Sequence, residues 1–534
     1  MQIVMAHGYF LKGTGSNLFV ENSCRELCKM GHQVNLFCQE NEPDKFDFIE
    51  KAFDFNDENS ESWIVYQNET PYPGKCHLYR PNLNGFLPVY VYDEYEGYQV
   101  KTFTNCNKIE IETYLEYNRR AINTALINSQ TDMVWTNHTI MQPVYVARSH
   151  LGQGQCHHVM TVHGSCLNFS VRNSALLQDY AREAIANADR IAFVSHFSKN
   201  EFLEFFDNDV CIKEKSIAIP GGVDLEKFMT LSDSSEKQPV IDSLVNDLKT
   251  AAQQLRSNPD RDEGLWKTDA DIIAKLEIID FNNEKIVLYY GKYLWTKGVQ
   301  LIIAAAPLIM MNHHHVRFML VGFGSSRSYF EAMIEALDQG DQVGFINLIN
   351  HPETVDGDID PHSTRFFTAL IKKLGDPDFA RAYFAEAKEK IGTAFVLTGF
   401  LNHNQLKSLI ACADITVATS IFPEAFGLVA AEALSSGIIP VQTNHSGFSE
   451  VIKRYIDEFD DIFDRHKLRP LVLDDQLVLN LATNISVLLT YYQAMNSQER
   501  QQIRKRARKI SVDNYSWESV VKNYIKLGQE SRAK

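Results

Sequence analysis

The chain has 534 residues, too many for one hydrophobic core, and its 45% of hydrophobic residues is enough to bury two. Its 52 basic against 68 acidic residues give a net charge of −16, which argues against nucleic acid as the main partner and against an anionic membrane as a permanent home. Nine cysteines, odd in number and without a CxxC pair, fit neither a disulfide framework nor a zinc ribbon and read mostly as small core residues.

The opening "MQIVMAHGYF" lacks a basic segment and a long apolar run, so it does not read as a signal peptide. No run of about 18 apolar residues predicts a transmembrane helix. With the cysteine usage, this makes the cytoplasm the expected compartment. Short apolar runs that stop in Gly, His or Ser then alternate with helical patterns. The first series is "QIVMAHG", "QVNLFCQ", "HHVMTVHG", "RIAFVSH" and "SIAIPGG"; the second is "KIVLYYG", "VRFMLVGFG", "AFVLTG", "DITVATS" and "IIPVQTN". Runs apolar on both faces and separated by helices predict parallel strands in doubly wound sheets, whose ligands bind beyond the carboxyl ends of the strands.

The string "PGGVDLEKF" (220–228) closes the first series and places a domain boundary near 223. A helical insertion is expected over about 232–280 and a second, loop then helix, over about 340–392. The tail "YSWESVVKNYIKLG" carries Trp517, Val520, Val521 and Tyr524 on one helical side. The reading is an amino-terminal domain over 1–222, a carboxyl-terminal domain over 223–512, and a final helix over 513–534.

Gly13 and Gly15 lie in a loop just before a helix, where free N–H groups and the helix dipole favour an anion. The dinucleotide fingerprint is incomplete, because position 18 is Leu. A plain glycine turn remains the alternative. In "YYGKYLWTKGVQLIIAA", Gly291 ends a strand, Thr296 is placed to cap the next helix, and Lys292 and Lys297 flank the loop. Two cations beside a helix start are what a leaving diphosphate requires; solvated lysines are the alternative.

"IFPEAFGLVAAEALSSG" (421–437) sets Glu424 in the loop after a buried strand and Glu432 one to two turns into a helix. Between them, near Phe426, Gly427 and Leu428, lie the first helical N–H groups. The two acids are not placed like a glycosidase pair facing one bond. They suit a ligand with hydroxyls at both ends and an anion in the middle, as in a nucleoside diphosphate sugar. The run "HHH" (313–315) precedes a strand and cannot converge on one ion, so no metal site is expected.

In this order, the glycine loop, "TVHG" (161–164), "PGGVD" (220–224), "GKYLWTKG" (291–298), "VGFG" (321–324), "PEAFGLVAAEALSSG" (423–437) and the closing "SW" helix resemble a retaining glycosyltransferase of the GT-B fold, family 4. The resemblance implies an α/β fold of two Rossmann-like domains facing a central cleft, the last helix crossing back to the first. It implies that Glu424 binds hydroxyls of the transferred sugar, Glu432 the ribose, and amides near Phe426–Leu428 the sugar or phosphate. Lys297 matches the family's lysine, whereas Lys292 stands where the family usually has Arg. His163 would contact the transferred sugar, Gly15 would admit the diphosphate, and Gly322, Phe400 and Leu401 lie where the family's base pocket lies.

The function so implied is hexosyl transfer from a nucleoside diphosphate sugar, UDP or GDP, to an acceptor hydroxyl, with retention and with neither metal nor cofactor. On the acceptor side, "LPVYVYDEYEGYQVKTF" (87–103) offers Asp93 and Tyr95 as sugar-binding groups; a tyrosine-rich hairpin packed on the core is the other reading. The expected partners are the donor and a carbohydrate or other hydroxyl acceptor, with homo-oligomerisation left open. Two rivals are a sugar-nucleotide epimerase of the same fold and a non-catalytic sugar-nucleotide or glycan-binding module.

Overall fold

The computed structural model describes all residues except 14, 92–93, 154–155, 232, 258–267, 353–360 and 530–534. It divides into two compact units, Met1–Gly222 with Tyr515–Lys534, and Val223–Asn514.

The first unit is built on β1 (Gln2–Ala6), β2 (Gln33–Phe37), β3 (Ile49–Phe55), β4 (Ser62–Gln67), β5 (Lys75–Arg80), β6 (Phe86–Val89), β7 (Gln99–Thr102), β8 (Met133–Asn137), β9 (His157–Val162), β10 (Arg190–Phe193) and β11 (Ser216–Ala218). Nine of these form one sheet in the order β11-β10-β9-β8-β1-β2-β5-β3-β4, and only the edge strand β4 pairs antiparallel, with β3. β1, β8 and β9 are buried along nearly their whole length because helices cover both faces. One cover is the last helix, Trp517–Gln529: Tyr524 stacks on buried Trp135 at 4.1 Å between ring centroids and accepts a hydrogen bond from Thr161 Oγ1.

β6 and β7 stand apart as a pair and run parallel, not as the antiparallel hairpin that the tyrosine pattern suggests. Of the described tyrosines between them, Tyr90 is buried, Tyr95 stacks on Phe10 at 5.0 Å, and Tyr98 donates to Gln39 Oε1 at 2.8 Å.

The second unit is built on β12 (Lys285–Tyr290), β13 (Val316–Val321), β14 (Phe395–Leu397), β15 (Ile415–Ala418) and β16 (Pro440–Gln442), all parallel, in the order β14-β13-β12-β15-β16. The first expected insertion supplies helices Lys237–Ser257 and Ile272–Glu277. The second is more helical than its loop-like composition suggests, with Gln342–Asn350, Thr368–Leu374 and Pro377–Ala387. The loop reading falls partly on 353–360, outside the described residues.

Thr296 does not cap the helix after β12. It sits in the short turn Trp295–Lys297, and helix Val299–Met310 starts from Gly298 at φ +74°. A Cβ on Gly298 would lie 1.9 Å from the Thr419 carbonyl oxygen, so the residue must be glycine for two loops to touch. Of the nine cysteines eight are buried, and only Cys211 is exposed. Among the described residues no helix is long and apolar enough to cross a membrane.

Candidate active site

In the second unit, the loops leaving β12 and β15 are stitched together. Thr419 Oγ1 donates to the Gly298 carbonyl at 2.8 Å, and Ile421 N–H donates to the Thr296 carbonyl at 2.8 Å. This brings Lys297, from one loop, into an ion pair with Glu424, from the other. Lys292, five residues earlier, is exposed.

A third loop, after β16, fixes Glu424 from behind. Its N–H donates to Ser446 Oγ at 2.9 Å and its carbonyl accepts from Gly447 N–H at 2.8 Å. Ser446 Oγ lies 3.0 Å from His445 Nδ1, and His445 Nε2 lies 2.7 Å from the Ser420 carbonyl. A carbonyl only accepts, so Nε2 carries the proton and Nδ1 accepts from the serine hydroxyl. Burial lowers the His445 pKa and keeps this relay neutral. The backbone of Glu424 is thus held at both ends while its carboxylate stays partly open, with 20% of the side chain exposed. The sequence reading missed Ser446 and His445; their signal was "NHSG" directly after the last strand.

Glu432 lies one turn into helix Leu428–Ser435 and is 5% exposed. His403 Nε2 is 3.5 Å from its Oε1. Tyr290 anchors the helix by donating to the Val429 carbonyl at 2.7 Å. Burial, then the adjacent Glu432 carboxylate, push the Tyr290 pKa far up, so the hydroxyl remains a donor. Gly427 is the N-cap, and no side chain caps this helix. Phe426 and Leu428 are half-buried beside it.

The residues expected at a base pocket gather on another side of the same sheet edge. Gly322 N–H donates to the Gly399 carbonyl at 3.0 Å, and a Cβ on Gly322 would sit 1.8 Å from the Gly291 carbonyl oxygen. Its glycine is required by backbone packing. Phe400 packs edge-on against Phe323 at 5.8 Å, and Leu401 is buried.

In the first unit, three neighbouring strands each end in a histidine: His7 after β1, His138 after β8 and His163 after β9. The three rings are buried side by side, with centroids 6.0 Å apart for His7 and His138 and 4.9 Å for His138 and His163. Burial depresses all three, His7 to about 4 and His163 to about 3, so the cluster is neutral near pH 7. His163 Nε2 is 3.0 Å from Asn137 Oδ1, while the Asn137 amide points at the Ala6 carbonyl. The proton therefore sits on Nε2, and Nδ1 keeps its lone pair. The sequence reading selected His163 alone, although "AHG", "NHT" and "VHG" share one position after three strands.

Gly15, at φ +62°, starts helix Ser16–Lys29, which has no side-chain cap. Glu40, which could mimic a ribose-binding acid, is buried and accepts the Leu11 and Glu42 N–H groups. That bonding makes it a brace for the glycine loop. Tyr95 is half-buried, and Asp93 lies outside the described residues. Among the described residues no three His, Cys, Asp or Glu side chains converge as a metal site.

Two family models match this chain: Glycosyltransferase Family 4 over residues 13–227, and Glycosyl transferases group 1 over residues 273–356 and 375–459. An uncharacterized glycosyltransferase of Methanocaldococcus jannaschii is 22% identical over 246 residues, 46% of this chain and 45% of that protein. The lipopolysaccharide 1,2-N-acetylglucosaminetransferase of Salmonella typhimurium is 27% identical over 139 residues, 26% of this chain and 32% of that protein. The match thus spans less than half the length of either relative. A solved sucrose-phosphate synthase from Thermosynechococcus elongatus aligns over 99% of this chain and 98% of its own, with a TM-score of 0.54 and 16% identity, a likeness of fold. With a Family 4 match on the first unit, a group 1 match on the second and two parallel-sheet units beneath them, the chain belongs to the glycosyltransferases of the GT-B fold.

Proposed function

We propose that the chain transfers a hexosyl group from a nucleoside diphosphate sugar, uridine or guanosine diphosphate, to an acceptor hydroxyl, retaining the anomeric configuration and using no metal. The observation that carries this reading is the Lys297–Glu424 pair joining the loops after β12 and β15, with Glu432 a helical turn beyond the uncapped start of Leu428–Ser435. Glu424 takes hydroxyls of the transferred sugar, Glu432 takes the ribose, and Lys297, Lys292 and the helix start stabilise the diphosphate as charge builds on it. The neutral His163 contributes its Nδ1 lone pair as acceptor for a sugar hydroxyl.

In this mechanism the bond from the anomeric carbon to the diphosphate breaks, and a bond from the same carbon to the acceptor oxygen forms on the same face. The acceptor proton passes to the departing phosphate oxygen. The protein supplies position and charge; no protein nucleophile is needed. Tyr95 and Asp93 are proposed to bind the acceptor, and Gly15, Gly322, Phe400 and Leu401 to approach the donor through backbone and ring faces.

The test is a melting-temperature panel of UDP, GDP, ADP and their glucose conjugates, with and without EDTA, followed by proton NMR of the product. One nucleotide class should raise the melting temperature by mass action, EDTA should change nothing, and the product should keep the donor's anomeric configuration. Inverted product, or turnover abolished by EDTA, would overturn the corresponding part.

Ser446→Ala tests the support of Glu424. It leaves the Glu424 N–H without its acceptor, a loss of about 1 to 1.5 kcal/mol. Transfer should slow about tenfold and the melting temperature of the free protein should fall by about 2 °C; steady-state kinetics and a thermal melt would read the two.

A further inference from the structure

At the opposite edge of the second sheet, where its strands begin, lies a partly open cavity of about 40 Å³. Each water centre needs roughly 10–15 Å³, so the space holds about three waters or one tetrahedral oxyanion. Lys237, Arg500 and Arg504 line it, with Asp233 and Asp414 as carboxylates and Ser497 at its rim. Lys237 is only 2% exposed, and its Nζ is 3.0 Å from Asp414 Oδ2. That same oxygen accepts Ile286 N–H at 2.9 Å, so Asp414 is already shared between a cation and the start of β12. Arg500 and Arg504 donate to carbonyls, of Tyr492 and Ala411.

Lys285 adds a fourth cation close enough to be felt by the others. Burial pushes the Lys285 pKa down and Lys237 and Arg500 push it further, with Asp414 opposing. Arg504 is lowered by burial in the same way, with Asp414 opposing and Arg500 adding to the lowering. Two helices, Lys237–Ser257 and Ser497–Tyr515, also begin at this cavity, their first residues lining it. Three cations and two carboxylates thus line a space too small for a sugar or nucleotide, with Lys285 as a further positive charge nearby.

We propose that this cavity binds one inorganic oxyanion of the phosphate or sulfate type, separately from the donor site. β12 and β15 run from the cavity edge to the loops bearing Lys297 and Glu424, about 15–20 Å away at strand rise. The anion sits between helices Lys237–Ser257 and Ser497–Tyr515 and neutralises the cations that line the cavity, so its effect is on the stability of the second unit.

The experiment titrates the full chain with inorganic phosphate, against chloride at equal ionic strength, by melting temperature and by calorimetry. The expected result is a saturable rise of a few degrees and one phosphate per chain. That response should persist in Lys297→Ala, which alters the donor site, and vanish in Arg500→Gln. Calorimetry on wild type and Lys297→Ala decides the matter even where Arg500→Gln fails to fold. A phosphate response no larger than that of chloride overturns the proposal. So does one that survives in Arg500→Gln or disappears in Lys297→Ala.

Discussion

Lys297→Ala and Glu424→Ala are each expected to lower kcat/KM for sugar transfer by 10²–10³, about 3–4 kcal/mol of transition-state stabilisation. The two losses have different origins. Without Lys297, the diphosphate loses a positioned cation, and Glu424 is left as an uncompensated negative charge beside it. Without Glu424, the sugar loses its hydroxyl acceptor, and Lys297 is free to swing. Because the side chains are bonded to one another, each single change already disrupts the other partner. The double variant should therefore fall well short of the product of the two losses. Lys292→Ala, at an exposed position, should cost about tenfold, since a solvated charge acts through a higher dielectric. Initial rates with a radiolabelled donor would measure all four, and wild-type turnover in both single variants would defeat the assignment.

Much of this arrangement was readable in one dimension because parallel strands buried on both faces leave uninterrupted apolar runs, and each run ends where a loop begins. The run "DITVATS" followed by "IFPEAF" was enough to place Glu424 in a loop, and "GLVAAEALSSG" to place Glu432 in a helix. What could not be read is whatever depends on two loops meeting across the sheet. Thr296 has the composition of a cap, but contact with Thr419 selects Gly298 for the helix start. His445 and Ser446 bear on Glu424 only because β16 lies beside β15. In the same way, three isolated histidines become one cluster only when β9, β8 and β1 are neighbours. The tyrosines of 87–103 were ambiguous, because flat amphipathic rings serve a sugar surface and a core equally; their observed packing against Phe10 and Gln39 accounts for Tyr95 and Tyr98. Asp93 lies outside the described residues.

That histidine cluster makes the first unit acid-sensitive in a defined window. An unfolded histidine takes up a proton below about pH 6.5. His7 and His163 in the fold do so only near 4 and 3, and His138 is depressed as well. The unfolded chain therefore binds more protons between these limits, so stability is full above about pH 6.5 and falls as the pH drops through that value. At pH 5 the loss is about 2 kcal/mol for each of His7 and His163, reduced if their titrations interact. The depressed carboxylates of the same unit, such as Glu112 and Glu116, are shifted in the same direction but matter only below their ordinary range near 4.5. The interval from pH 6.5 to 5 thus isolates the imidazoles. Urea unfolding at pH 7, 6 and 5 should show a stepwise fall, and His138→Asn should flatten it. Asparagine tolerates the left-handed backbone of this residue, at φ +69°, and removes a ring whose two nitrogens have no hydrogen-bond partner. A first unit equally stable at pH 7 and pH 5 would mean that these rings are hydrated and protonated in the folded chain, and the neutral His163 proposed for the sugar would fall with them.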